Sequence, residues 1–152
     1  TEFSAIAPNN SLLTISVPIG LQFGSNPAAI AVQNSGHRLQ EQNDRGIVSL
    51  NRVPSLNFQV ASGQTLALIG GNLGFVRLTD QGFDYSEISE FGTIRLDQRS
   101  LLDVSGANAG SIQIRADQFT VRNGSLVFSQ NHGTRTAGAI EVQASQAIIA
   151  EG

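Results

Sequence analysis

Apolar and polar residues alternate with a period of two along most of the chain. Leu13-Thr-Ile15-Ser-Val17, Ile30-Ala-Val32, Leu56-Asn-Phe58-Gln-Val60, Leu66-Ala-Leu68, Val76-Arg-Leu78 and Ile94-Arg-Leu96 carry the pattern. It continues through Ile112-Gln-Ile114, Phe119-Thr-Val121, Leu126-Val-Phe128, Ile140-Glu-Val142 and Ala147-Ile-Ile149. Successive side chains of a strand point to opposite faces, so the alternation predicts short strands of about four to six residues, each burying one face. Gly, Asn or Asp separates nearly every pair, as at Gly70-Gly71-Asn72, Ser105-Gly106 and Asn123-Gly124; these residues suit turns. No segment holds a 3.6-residue period over three turns. The best helical candidate, 80–91, contains Gly82 and reads as a loop with one helical turn at most.

Internal repeats decide between the all-β architectures. Gly110, Gly124, Gly138 and Gly152 recur every 14 residues. The segment from Gly110 to Gly124 aligns with that from Gly138 to Gly152 without gaps, at an offset of 28. Ile112 then meets Ile140, Ile114 meets Val142, Ala116 meets Ala144, Gln118 meets Gln146 and Val121 meets Ile149. A weaker copy pairs Ser100-Leu101-Leu102 with Ser125-Leu126-Val127 at an offset of 25, the difference falling in the loop 130–137. Three short strands in about 25–28 residues are what one rung of a right-handed parallel β-helix requires. The chain therefore reads as a single β-helix domain over 1–152, with about five or six rungs. They are irregular over 1–92, where extra strands or an extruded hairpin are expected, and regular over 93–152. Phe119, Val121, Leu126 and Phe128 read as stacked core.

Composition supports this picture and narrows the chemistry. The 152 residues include no Cys, no Met, no Trp and no Lys, and all nine basic residues are Arg. Absence of Cys excludes disulfide scaffolds, thiolate metal sites and thiol catalysis. Charged residues make up 14%, well under the ~25% of ordinary domains. Stacked ladders give that scarcity a cause, since like charges one layer apart repel. The net charge of −3 argues against a nucleic-acid partner. No apolar run is long enough to span a membrane as a helix. The chain starts Thr-Glu-Phe with no charged-then-apolar leader, which reads as a mature protein or an excised piece.

Several stretches resemble the secretion domain of filamentous-haemagglutinin-type exoproteins, the secreted members of two-partner secretion systems. They are Val17-Pro-Ile-Gly-Leu-Gln-Phe-Gly24 with Asn26-Pro-Ala-Ala-Ile30, and Gly63-Gln-Thr-Leu-Ala-Leu-Ile-Gly-Gly-Asn-Leu73. Phe91-Gly-Thr-Ile-Arg-Leu96, Asp103-Val-Ser-Gly106, Gly110-Ser-Ile-Gln-Ile114 and the start Thr1-Glu-Phe-Ser-Ala5 extend the likeness over most of the chain. Ile19–Phe23 and Gln64–Leu73 are its most telling parts. The family's Asn-Pro-Asn motifs are missing, since Asn26-Pro27 is followed by Ala28. The resemblance implies the distal part of such a domain with the first shaft repeats, a fragment of a longer exoprotein. It also implies export through an outer-membrane β-barrel transporter partner, then surface display or release for adhesion to a host-cell or surface glycan or protein receptor. Freedom from Cys suits passage through a narrow pore.

Candidate chemistry is sparse. Asp80, Asp84, Glu87 and Glu90 supply carboxylates of the kind calcium prefers, but their spacing matches no calcium loop, and a solvated loop is expected. Asp97 and Asp103, with Arg95, Arg99 and Arg115 as anion partners, are the nearest pair for a polysaccharide lyase or hydrolase, the alternative reading. Only analogy of fold supports that, so a non-enzymatic role without cofactors is expected. His37 beside Arg38, and His132 near Arg135, read as exposed residues without the partners a triad needs. Gly70-Gly71-Asn72 lacks the Lys and helix of a phosphate loop, and the sequons at Asn9 and Asn123 read as turn chemistry. Surface contacts are expected from the extruded loops 34–46, 79–91 and 130–137, with His37, Arg38, Asp84, Tyr85, His132 and Arg135 as candidates. An open ladder edge at the end of the stack predicts end-to-end self-association or a cap.

Overall fold

A computed structural model describes residues 20–24, 29–42, 47–53, 58–71, 74–80 and 82–152. The expected strand at Leu13–Val17 lies outside them. The described residues contain no helix. The strands are β1 (Gly20–Phe23), β2 (Ile30–Gln33), β3 (His37–Gln42), β4 (Ile47–Arg52), β5 (Phe58–Gln59), β6 (Thr65–Ile69) and β7 (Gly74–Thr79). They continue as β8 (Gly82–Asp84), β9 (Ile94–Asp97), β10 (Leu101–Asp103), β11 (Ser111–Val121), β12 (Leu126–Phe128) and β13 (Ile140–Ala150).

Three parallel ladders organise the chain. In the first, β2, β9, the second half of β11 and the second half of β13 lie side by side, with Ile30 opposite Ile94, Ile94 opposite Phe119 and Phe119 opposite Ile148. The second places Phe58 of β5 opposite Leu102 of β10, and Leu102 opposite Val127 of β12. The third places Leu66 of β6 opposite Ile112 of β11, and Ile112 opposite Ile140 of β13. From β9 onward the chain visits the ladders in turn, so each return stacks a strand on its counterpart. Apolar side chains of all three ladders meet between them: Leu66, Leu68, Ile94, Leu96, Leu102, Val104, Ile112, Ile114, Ala116 and Phe119 form one core. Ile94, Leu96, Leu102, Ile112 and Ile114 are fully buried.

Both repeat offsets appear as registers: 25 residues from Leu102 to Val127, and 28 from Ile112 to Ile140. Beyond Ala116 the gap-free alignment fails. The register shifts between Ala116 and Gln118, so Gln118 faces Ala147 rather than Gln146, and Val121 faces Ala150 rather than Ile149. The upper strand carries one extra residue there, an irregularity of the kind that bends a strand at a corner. Pairing continues across the bend, which is why β11 and β13 each run 11 residues instead of the short lengths expected.

Two antiparallel units interrupt the stack. The β3–β4 hairpin, with Leu39 opposite Leu50, leaves between β2 and β5. Between β6 and β9 the chain forms β7 and β8, which join β1 in the order β1-β7-β8. The segment 79–91 is therefore part strand, because Leu78-Thr79 folds back on Gly82-Phe83. These excursions use chain that the period assigned to rungs, so the deepest described ladder has four strands rather than five or six. The β1-β7-β8 sheet covers Ala67 and Ile69, which alternate with the inward Leu66 and Leu68, and builds a second cluster of Ile69, Val76 and Ile88 with Phe23, Phe83, Tyr85 and Phe91.

Two of the regularly spaced glycines have different physical reasons. A Cβ on Gly110 would lie 1.8 Å from the Gln64 carbonyl oxygen, so only hydrogen fits where the chain crosses that carbonyl. Gly124 has φ +70°, a left-handed backbone. Gly110→Ala is expected to lower stability by about 1–3 kcal/mol, the range for overpacking. Ile114→Ala, which leaves a cavity, should lower it by about 2–5 kcal/mol. Urea unfolding checks both, and an unchanged midpoint for Gly110→Ala would contradict the close crossing.

Candidate functional site

Where β9 turns toward β10, Asp97-Gln98-Arg99-Ser100 makes a tight turn, with the Ser100 N–H donating to the Asp97 carbonyl at 3.2 Å. Gln98 and Arg99 both have φ +59°. One layer on, Arg122-Asn123-Gly124-Ser125 repeats the turn with φ +52° at Asn123 and +70° at Gly124, and the Ser125 N–H donates to the Arg122 carbonyl at 3.1 Å. The turns stack: the Arg99 N–H donates to the Asn123 carbonyl at 3.1 Å, and Ser125 Oγ accepts from the Ser100 N–H at 3.2 Å. Asp97 ties them together. Its Oδ1 accepts from Asn123 Nδ2 at 2.6 Å and from the Gln98 N–H at 2.8 Å. Its Oδ2 accepts from Arg122 Nε and Nη2 at 3.0 and 2.8 Å, and from Arg95 Nη2 at 2.5 Å. The Asn123 amide holds the carboxyl below the usual aspartate range against the opposing effect of burial, aided by the Gln98 N–H and the Arg95 charge.

The hairpin is pinned beside this corner. Arg52, at the end of β4, donates through Nε to Asp103 Oδ2, and its guanidinium lies 5.4 Å from the centre of the Phe128 ring. The Asp103 carboxyl is fully buried. Burial pushes its pKa up, but hydrogen bonds from Arg52 and Ser105 outweigh this and leave it lowered. A cleft of about 340 Å³ between hairpin and ladder is lined by Leu39, Leu50, Arg52, Leu126, Phe128 and Gln130, among others. Leu126 and Phe128 thus face this cleft, while Phe119 and Val121 lie in and against the core, so the four do not form one core stripe. His37, opposite Arg52 in the hairpin register, is 1% exposed. Burial lowers its pKa, a hydrogen bond to the Arg99 backbone opposes this, and the Arg99 charge lowers it further.

The β1-β7-β8 sheet is pinned to the outside of the third ladder. The Tyr85 hydroxyl donates to Gln113 Oε1 at 2.7 Å, and the Arg115 guanidinium sits 4.9 Å from the centre of its ring. Arg115 is 8% exposed and pairs with Glu141 at 2.6 Å. Burial raises the Tyr85 pKa, the Arg115 charge lowers it and that of Glu141 raises it. A cleft of about 280 Å³ runs along this seam, lined by Tyr85, Phe91, Arg115, Gln143 and Ser145 among others.

The candidate contact residues fall in three places. His37 and Arg38 start the hairpin; Arg38 is exposed, but His37 is buried rather than exposed, because Gly36 at the base of the hairpin is tied to the Arg99 carbonyl at 3.0 Å. Asp84 ends β8 and Tyr85 follows it; the Asp84 carboxylate accepts the Ser86 N–H at 2.9 Å, which chiefly lowers its pKa, and Tyr85 is docked as described. His132 and Arg135 are exposed in the loop 130–137. Of the acidic stretch, Glu87 pairs with Arg77. Among the described residues no cluster of His, Cys, Asp or Glu is arranged around a metal, and no helix is long and apolar enough to cross a membrane. Asp97 and Asp103 belong to different ladders, and each is held by its own arginines. Both carboxyls are lowered, whereas a general acid needs one raised. The sequence reading missed Arg52, Arg122 and Asn123. Extending the 25-residue offset back from Ser100 and Ser125 would have placed Arg122 over Asp97.

Lowered pKa values at Asp97, Asp103 and His37 share a sign. The unfolded chain binds more protons, so stability present at neutral pH is lost on acidification, from about pH 6.5 downward through His37 and below about pH 4 through the aspartates. Thermal melts should show Tm falling from pH 7 to 5 and more steeply below 4; a flat profile from 7 to 5 would remove the His37 share. Asp103→Asn, which leaves Arg52 without its anion, should cost about 3 kcal/mol.

No curated protein and no solved structure matches the chain. The family model described as the TPS secretion domain matches residues 1–142. That span holds strands of all three ladders, both antiparallel units and the Asp97 corner, and proteins with this domain are exported to the cell surface or extracellular space with an outer-membrane transporter partner. The all-β stack is that of a two-partner secretion exoprotein of the haemagglutinin type: the chain belongs to the TPS secretion domain family.

Proposed function

We propose that the chain is a right-handed parallel β-helix that carries a longer exoprotein through its outer-membrane transporter and then serves a structural and adhesive role at the surface. The observation that carries this reading is the set of three parallel ladders visited in turn, with the 25- and 28-residue offsets preserved as registers. Residues 1–152 form one β-helix domain in this reading, irregular over 1–92 where the antiparallel units leave the stack and regular over 93–152. Exposed and half-exposed side chains on those excursions and on the loop 130–137 are its contact surface: Arg38, Asp84, Tyr85, His132 and Arg135. His37 positions the hairpin from within. The receptor is a glycan or protein of a host cell or other surface.

The open edge of β13 fits end-to-end pairing with a second copy. Ile140 and Ile148 are 45% and 59% exposed, although their neighbours one layer down, Ile112 and Phe119, are buried.

Export tests the first half of the proposal. The chain should appear outside cells that make the outer-membrane transporter and remain inside cells that lack it. Equal release from both would overturn the reading.

A further inference from the structure

Asn123 is the only asparagine of the chain followed by glycine. An asparagine amide is open to attack by the backbone nitrogen of the next residue, and glycine leaves that nitrogen unshielded. The reaction balances with water as its only co-reactant. The Gly124 nitrogen bonds to Asn123 Cγ, its proton leaves with the side-chain nitrogen as ammonia, and a five-membered imide closes. Water then opens the imide at either carbonyl. The product is aspartate, or an isoaspartyl link in which the backbone runs through the side-chain carbon.

The folded corner opposes this ring closure. Asn123 Nδ2 donates to Asp97 Oδ1 at 2.6 Å, so the amide is held in place. The backbone is held too: Asn123 has φ +52°, its carbonyl accepts the Arg99 N–H at 3.1 Å, and the Ser125 N–H closes the turn on the Arg122 carbonyl. In the left-handed region the next nitrogen points away from Cβ, whereas the imide needs the two on the same side. Both amide and peptide plane must rotate before the bond forms. One layer below, Gln98 and Arg99 hold the same turn shape without this reactivity. Gln98 would have to close a six-membered ring, and Arg99 shields its own nitrogen.

The product does not fit the corner. Aspartate at 123 sets a carboxylate against Asp97 Oδ1, where the amide had donated, while Arg95 and Arg122 serve the other oxygen, Oδ2. An isoaspartyl link adds one carbon to the backbone of a turn that is stacked on its neighbour by hydrogen bonds. We propose that Asn123 is a spontaneous deamidation site which the closed corner suppresses and whose product keeps the corner from closing again. Time spent unfolded is thereby recorded in the chain as lost folding competence, whichever route the chain takes out of the cell.

The test ages the full chain at mildly alkaline pH, folded in buffer or unfolded in guanidinium chloride, and maps its peptides by mass spectrometry. Deamidation at Asn123 should be roughly a hundredfold faster in denaturant, because only the open fraction of the folded chain reacts. After dilution of the aged chain, limited proteolysis should leave a resistant fraction with intact Asn123 and digest chains that carry the modified residue. Asn123→Gly keeps a left-handed turn and has no amide, so it should refold after the same ageing without loss. Asn123→Asp should melt below Asn123→Gly at neutral pH, and the gap should narrow in acid, where one of the two facing carboxyls takes a proton. Equal rates folded and unfolded, modified Asn123 in the resistant fraction at its overall proportion, or the same ageing loss in Asn123→Gly would overturn the proposal. So would an Asn123→Asp chain as stable as Asn123→Gly at neutral pH.

Discussion

A parallel strand pair sets each residue over its counterpart at one layer spacing of about 4.8 Å. Ile112 must sit under Ile140 and Ile114 under Val142, so an apolar position in one layer is answered by an apolar position in the next. The same constraint acts at the corners. Gly110 passes so near the Gln64 carbonyl that no side chain fits, and the turn at Gln98-Arg99 is followed one layer on by the turn at Asn123-Gly124. Outward positions answer each other too, which favours neutral amides and hydroxyls and leaves charge where a partner has been provided.

Both antiparallel units spread that logic outward. Each covers a ladder face that would otherwise meet water, and each is fastened by an arginine that pairs with a carboxylate and lies against an aromatic ring: Arg52 with Asp103 and Phe128, Arg115 with Glu141 and Tyr85. A planar guanidinium combines hydrogen bonds in its plane with stacking on its face, which an ammonium does not. That is a physical reason for arginine at these two positions and for the two-donor grip of Arg122 on Asp97. Nothing in the fold explains why every other basic residue is also arginine.

Much of the stack was legible in the sequence. The offsets of 25 and 28, the alternation in 94–96 and 112–114, and the Asn123-Gly124 turn each record a local rule that the structure obeys. Where the rule is ambiguous the reading slipped. Ala147, Ile148 and Ile149 are all apolar, so pattern alone could not show that one extra residue at the bend sets Ile148, not Ala147, opposite Phe119. The excursions were harder. Val76-Arg-Leu78 alternates like a ladder strand, yet its partners β1 and β8 run antiparallel, and partner choice is not encoded in period. The burial of His37 and the convergence of Arg95, Arg99 and Arg122 come from tertiary stacking, which residue spacing alone does not display. The family resemblance, by contrast, rested on contiguous stretches and survived comparison.

The sequence separations of these contacts also order them in time. The β3–β4 hairpin closes over a short loop, an event of microseconds. Its fastener does not share that speed. Arg52 and Asp103 are 51 residues apart, and Tyr85 and Gln113 are 28 apart, so both closures wait until the chain beyond them has come round a circuit. The hairpin would therefore close on the growing stack only as later layers arrive, which makes the Arg52–Asp103 pair a late marker of assembly.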